Sequence, residues 1–129
     1  MKFLHIMLRV KDIEKSLFFY QNLFDMNLTK TMELEDCRLY FLSDEDGQTQ
    51  IELTHNFDTP TEGYSHGSAF GHLAFEVQSI TAFSEKMKTL GLGEVQEVYS
   101  MPRYDMQIAF IEDPDGNSIE LIEPTYYLA

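Results

Sequence analysis

Cysteine is almost missing from this sequence: Cys37 stands alone among 129 residues. No disulfide can close within the chain, so a reducing, cytoplasmic setting suits it. Cys37 lies in an apolar, strand-like run, which fits a buried side chain better than a nucleophile. Cations are also scarce. Nine Lys and Arg face 22 Asp and Glu, giving a formal net charge of −13 and a pI near 4.5. Such a surface repels phosphate backbones and anionic membranes, which argues against nucleic acid and membrane partners. An anionic substrate would need local basic residues. Long apolar runs are lacking too. No stretch approaches the roughly 20 residues of a membrane span, and the opening run meets His5, Arg9 and Lys11 too early for a signal peptide. Hydrophobic residues themselves are ample, at 43% with 13% aromatic, enough for one compact domain or two small halves.

What is present is said twice. His5-Ile6-Met7-Leu8-Arg9-Val10 precedes Lys11-Asp12-Ile13, and His72-Leu73-Ala74-Phe75-Glu76-Val77 precedes Gln78-Ser79-Ile80. An amphipathic helix pattern follows each copy. Ile13, Leu17, Tyr20 and Phe24 form the first stripe, with Asp12 as N-cap. Ile80, Phe83, Met87 and Leu90 form the second, with Ser79 as N-cap and Gly91 as stop. Strand-like runs come next, at about 28–34, 37–43 and 49–56, then at about 94–99, 107–112 and 117–123. Asp44-Glu45-Asp46-Gly47 and Asp113-Pro114-Asp115-Gly116 read as hairpin turns. The halves end alike, on Gln50-Ile51-Glu52-Leu53 and Ser118-Ile119-Glu120-Leu121. The expectation is an α+β chain of two βαβββ modules, 1–56 and 70–124, with a linker at 57–69 and a C-terminal tail at 125–129.

Strand alternation then sorts the chemistry. Leu4, Ile6, Leu8 and Val10 share one face, suited to the helix, and His5, Met7 and Arg9 share the other. Ile51 and Leu53 oppose Gln50, Glu52, Thr54 and Asn56. Leu73, Phe75 and Val77 oppose His72, Ala74 and Glu76, and Ile119 and Leu121 oppose Ser118, Glu120 and Ile122. Each module thus offers one His and one Glu on its non-helix face. If the sheets close toward each other, His5, Glu52, His72 and Glu120 converge. Two imidazoles and two carboxylates suit nickel, cobalt, zinc, iron or manganese, and a six-coordinate ion keeps two positions for substrate oxygens. A closed structural zinc site would prefer cysteines. His55 faces away from Glu52 and His66 falls in the linker, so neither is expected as a ligand.

At these residues the sequence resembles the glyoxalase I family of the vicinal oxygen chelate superfamily. The resemblance is carried by Leu4-His5-Ile6-Met7-Leu8-Arg9-Val10, Ser16-Leu17-Phe18-Phe19-Tyr20, Ile51-Glu52-Leu53-Thr54-His55-Asn56, Phe70-Gly71-His72-Leu73-Ala74-Phe75 and the stretch from Phe110 to Leu121. It implies curved mixed sheets forming a cupped site in a homodimer, with His5 and Glu52 from one chain and His72 and Glu120 from the other. It implies one divalent metal per site, nickel or cobalt in short members and zinc in longer ones, with glutathione as co-substrate. The implied reaction isomerises the hemithioacetal of methylglyoxal and glutathione to S-lactoylglutathione through an enediolate, with Glu120 as base and Glu52 opposite. Arg9 and Asn56 match positions that hold the γ-glutamyl end of glutathione. Arg103 stands where family members often carry lysine-bearing, glycine-rich sequence, so another small thiol is an alternative. Two further readings share the fold: a related epimerase or thiol transferase, and a non-enzymatic drug-binding module that would need no metal.

Overall fold

The computed structural model describes residues 1–125. Apart from Thr125, the expected tail lies outside the described residues. The chain divides into two compact units, Met1–Ser65 and His66–Ala129.

In the first unit, β1 (His5–Arg9) leads into α1 (Ile13–Phe18), and a single π-helical turn, Phe19–Leu23, extends it. Asp12 caps the helix by accepting a hydrogen bond from the Lys15 N–H at 3.2 Å. The strands β2 (Asn27–Glu33), β3 (Cys37–Ser43) and β4 (Gln50–Asn56) complete a sheet of order β1-β4-β3-β2. The β1–β4 pair is parallel because the helix carries the chain back over the sheet; the others are antiparallel. Val10, Tyr20, Leu23, Leu42 and Leu53 are buried to 1% or less and form the core. Each such aliphatic side chain contributes about 1.5–3 kcal/mol by leaving water.

Two details differ from expectation. The most buried helix positions are Ser16, Phe19, Tyr20 and Leu23, whereas Ile13, Leu17 and Phe24 are half-buried. The π turn holds more residues per turn than an α-helix, so the inward stripe shifts away from a 3.6-residue period. Leu4 is exposed rather than packed on the helix, since β1 begins only at His5.

The second unit repeats the plan with β5 (Leu73–Glu76), α2 (Ile80–Thr89), β6 (Tyr99–Met101), β7 (Met106–Glu112) and β8 (Ser118–Pro124), in the order β5-β8-β7-β6. Ser79 caps α2 by accepting from the Ala82 N–H at 3.0 Å. Gly91, at φ +73°, ends it, with N–H groups of Gly91 and Leu92 donating to the carbonyls of Lys88 and Met87. The strand expected at 94–99 forms only at 99–101. Val95 donates its N–H to Ser84 Oγ at 3.0 Å and Glu94 pairs with Lys88 at 3.0 Å, so this segment is tied to α2 instead of the sheet.

Both expected turns form. Gly47 (φ +72°) and Gly116 (φ +81°) close them with N–H bonds to the carbonyls of Asp44 and Asp113. Asp113, buried, also accepts from the N–H groups of Asp115 and Asn117 and from the Asn117 side chain.

Candidate metal centre

The parallel register sets Met7 opposite Glu52 and His5 opposite Gln50, so His5 and Glu52 share the face away from α1. Their side chains meet: His5 Nε2 lies 3.2 Å from Glu52 Oε1. The second unit does the same, with His72 Nε2 3.3 Å from Glu120 Oε1. His72 stands just before β5, and Glu120 lies opposite Ala74. Each pair is a hydrogen bond when the imidazole carries its proton on Nε2. It is equally two adjacent donors for a cation. Two ligand bonds of about 2.1 Å, set between a right angle and the tetrahedral angle, put their donor atoms roughly 3.0–3.4 Å apart. The observed separations and the donor types fit a divalent metal. Within each unit the set stops at two, and no group of three or more His, Cys, Asp or Glu suited to a metal gathers among the described residues.

An aromatic ring backs each imidazole. Phe41 meets His5 edge-on and Phe110 meets His72 likewise, each with centroids 5.5 Å apart. These two phenylalanines lie directly opposite Glu52 and Glu120 on the neighbouring strand. The sequence reading missed them, although their matched places in the repeat were a signal. It also missed a difference between the acids. Thr54 donates its hydroxyl to Glu52 Oε2 at 2.8 Å, in a buried setting. The equivalent neighbour of Glu120 is Ile122, which offers no hydroxyl. Glu52 is the more buried side chain, 11% exposed against 17%. Glu52 is thus pinned and Glu120 freer.

The remaining candidates fall as follows. Arg9 is exposed at the end of β1, opposite Thr54. Asn56 closes β4, and its Oδ1 is buried without a hydrogen-bond partner. An acceptor left so costs about 1–3 kcal/mol unless a ligand supplies a donor. Arg103 lies in an exposed 3₁₀ turn, Pro102–Tyr104, with its guanidinium 5.9 Å from the Tyr104 ring. That turn precedes Met106, four residues and about 13 Å of strand from Phe110. Cys37 is buried at the start of β3, and burial together with neighbouring Asp36 holds its thiol above the usual range, the opposite of an activated nucleophile. Among the described residues, no helix is long and apolar enough to cross a membrane.

Known proteins repeat this plan. Lactoylglutathione lyase of Neisseria meningitidis is 44% identical over 127 residues, covering 95% of this chain and 91% of the relative. A crystal structure of a glyoxalase I mutant from Zea mays superimposes with a TM-score of 0.81 at 29% identity, over 95% of this chain and 45% of that one, so the chain spans under half of the maize protein. The trypanothione-dependent glyoxalase I of Leishmania major matches with a TM-score of 0.72 at 27% identity, over 96% of this chain and 87% of that one. The family model described as Glyoxalase/Bleomycin resistance protein/Dioxygenase superfamily matches residues 2–121, and the chain belongs to that family.

Proposed function

We infer that this chain is a lactoylglutathione lyase, isomerising the hemithioacetal of methylglyoxal and a small thiol to the lactoyl thioester. The observation that carries the reading is the matched His–Glu pair in each unit, in a chain 44% identical to such an enzyme over nearly its whole length. His5, Glu52, His72 and Glu120 would hold one divalent metal, nickel or cobalt ahead of zinc. The site forms between two chains of a homodimer, with His5 and Glu52 from one and His72 and Glu120 from the other. When bound, such an ion supplies Lewis-acid stabilisation for negative charge on two neighbouring substrate oxygens.

The protein's own groups do the proton work. The hemithioacetal carbon carries a hydrogen, a hydroxyl and the thioether sulfur, next to a ketone carbon. Glu120 takes that hydrogen as a proton, leaving an enediolate, and returns it to the former ketone carbon. The hydroxyl proton of the first carbon passes to the oxygen of the second, so the first becomes the thioester carbonyl, the second an alcohol carbon, and no oxidant is needed. Glu120 suits the role because Ile122 stands where Glu52 has Thr54, so among the described residues no hydroxyl bond restrains it, while the Thr54 bond holds Glu52 in place. Glu52 stands opposite for the other substrate enantiomer. General acid–base transfer of this kind contributes about 10²–10⁴-fold.

Arg9 suits a carboxylate clamp at the thiol's γ-glutamyl end. The unpartnered Oδ1 of Asn56 suits that end's ammonium. Glutathione is the proposed thiol, and the trypanothione dependence of the Leishmania major glyoxalase I makes a second thiol the natural control. Arg103 is retained as a candidate for the far end of the thiol. The reading is tested by stripping the protein of metal, restoring nickel, cobalt or zinc, and following thioester formation from methylglyoxal with each thiol. Restored turnover is expected; absence of turnover with every metal and thiol ends the proposal.

A further inference from the structure

In the first unit a cavity of about 440 Å³ opens beside His5 and Glu52, and Lys2 and Lys30 line it. This volume lies within the usual range for small-molecule sites. Register puts Lys30 there for a reason. Lys30 lies opposite Phe41, and Phe41 opposite Glu52, so the three form one row across β2, β3 and β4 with side chains on one face. The Lys30 ammonium sits 4.8 Å from the centroid of the Phe41 ring, the same ring that meets His5. Among the described residues neither lysine makes an ion pair. Two unpaired cations on one cavity invert the local charge of a chain whose net charge is −13.

Resting on the lyase reading, we propose that Lys30, assisted by Lys2, binds a carboxylate on the aldehyde-derived half of the substrate, making the first module's cavity selective for hemithioacetals of acidic 2-oxoaldehydes. The cavity adjoins His5 and Glu52, where the reacting carbons would sit, so the carboxylate is the aldehyde's own substituent and not an end of the thiol. It meets the lysines through charge-assisted hydrogen bonds. Phe41 and Leu39 supply the apolar wall for the rest of the group.

The test compares the metal-loaded wild-type protein with Lys30→Gln, Lys2→Gln and Lys30→Arg. Two substrate pairs are used: methylglyoxal with glutathione or its glycyl ethyl ester, and glutathione with 4-carboxyphenylglyoxal or phenylglyoxal. Lys30→Gln is expected to lower kcat/KM about tenfold for 4-carboxyphenylglyoxal and to leave phenylglyoxal unchanged. Lys2→Gln should act in the same direction but more weakly, and Lys30→Arg should restore the preference. A response confined to glutathione against its glycyl ester overturns the proposal. Equal loss on acidic and neutral members, or no loss on any, overturns the proposal. Calorimetric binding of S-(4-carboxybenzyl)glutathione and S-benzylglutathione gives a reading without turnover. Should the wild type show no turnover at all, the lyase reading falls. Lysine-dependent preference for the acid in binding would then still support the carboxylate site.

Discussion

The two units share a strand order, a His–Glu pair and an edge-on phenylalanine, yet they surround that pair differently. In the first, β2 is seven residues long and brings Lys30 into line with Phe41 and Glu52. In the second, β6 has three residues, and its pairing stops at Tyr99 opposite Ile108, short of Phe110. The first also pins its glutamate with Thr54, where the second has Ile122. The repeat therefore keeps the His–Glu pair while its supports diverge: in the first unit Thr54 bonds the glutamate and Lys30 stands in its row, and in the second Ile122 and a β6 that stops short of Phe110 take their places. Helix anchoring differs as well. α1 is capped by Asp12, whereas α2 has Ser79 and, in addition, buried Glu123, whose Oε1 accepts from the Ile80 N–H, 2.6 Å away.

The largest expected effect tests the division of labour between the acids. Glu120→Gln should lower kcat by about 10²–10⁴-fold. Glu52→Gln, assayed with one hemithioacetal enantiomer at a time, should cost less for the enantiomer that Glu120 serves. Equal losses for both variants on both enantiomers would erase the contrast. Next comes anchoring. Glu123→Ala removes a buried, charged acceptor from a helix N-terminus and should cost about 2–3 kcal/mol in denaturant unfolding. Asp12→Ala, at an exposed cap, should cost about 1 kcal/mol. A reversed order would mean that Glu123 is not the main anchor of α2. The smallest contrast lies in the turns. Gly47→Ala and Gly116→Ala each force a side chain into the left-handed region, at about 1–2 kcal/mol. Gly116→Ala should cost slightly more, because its new Cβ would stand 3.2 Å from His66 Cε1, whereas nothing crowds Gly47. His66 is exposed and can swing aside, so the excess in thermal shift should be small.

Much of this was legible in the sequence because period-2 alternation and turn chemistry are local. The repeat gave the order of elements, and alternation placed His5 with Glu52 and His72 with Glu120 before any coordinates. The illegible parts depend on contacts between distant segments. The π turn after Phe18 shifted the inward stripe in a way no 3.6-residue template anticipates. Ser84 and Lys88 captured the 94–95 segment from α2, shortening β6. Nothing in the sequence around Lys30 marks it; strand pairing sets it in a row with Phe41 and Glu52. Glu123 left a trace, an acid on the same face as Ile119 and Leu121, and that trace went unused.

Subunit mixing tests the shared site most directly. His5→Ala and His72→Ala proteins should each be nearly inactive. Unfolded together and refolded as an equal mixture, they should form mixed dimers in which one site carries both defects and the other carries neither. With about half the dimers mixed, activity should recover to roughly a quarter of wild type, as random pairing of two chains dictates. A mixture no more active than its separate components would contradict a centre built from one His–Glu pair of each chain.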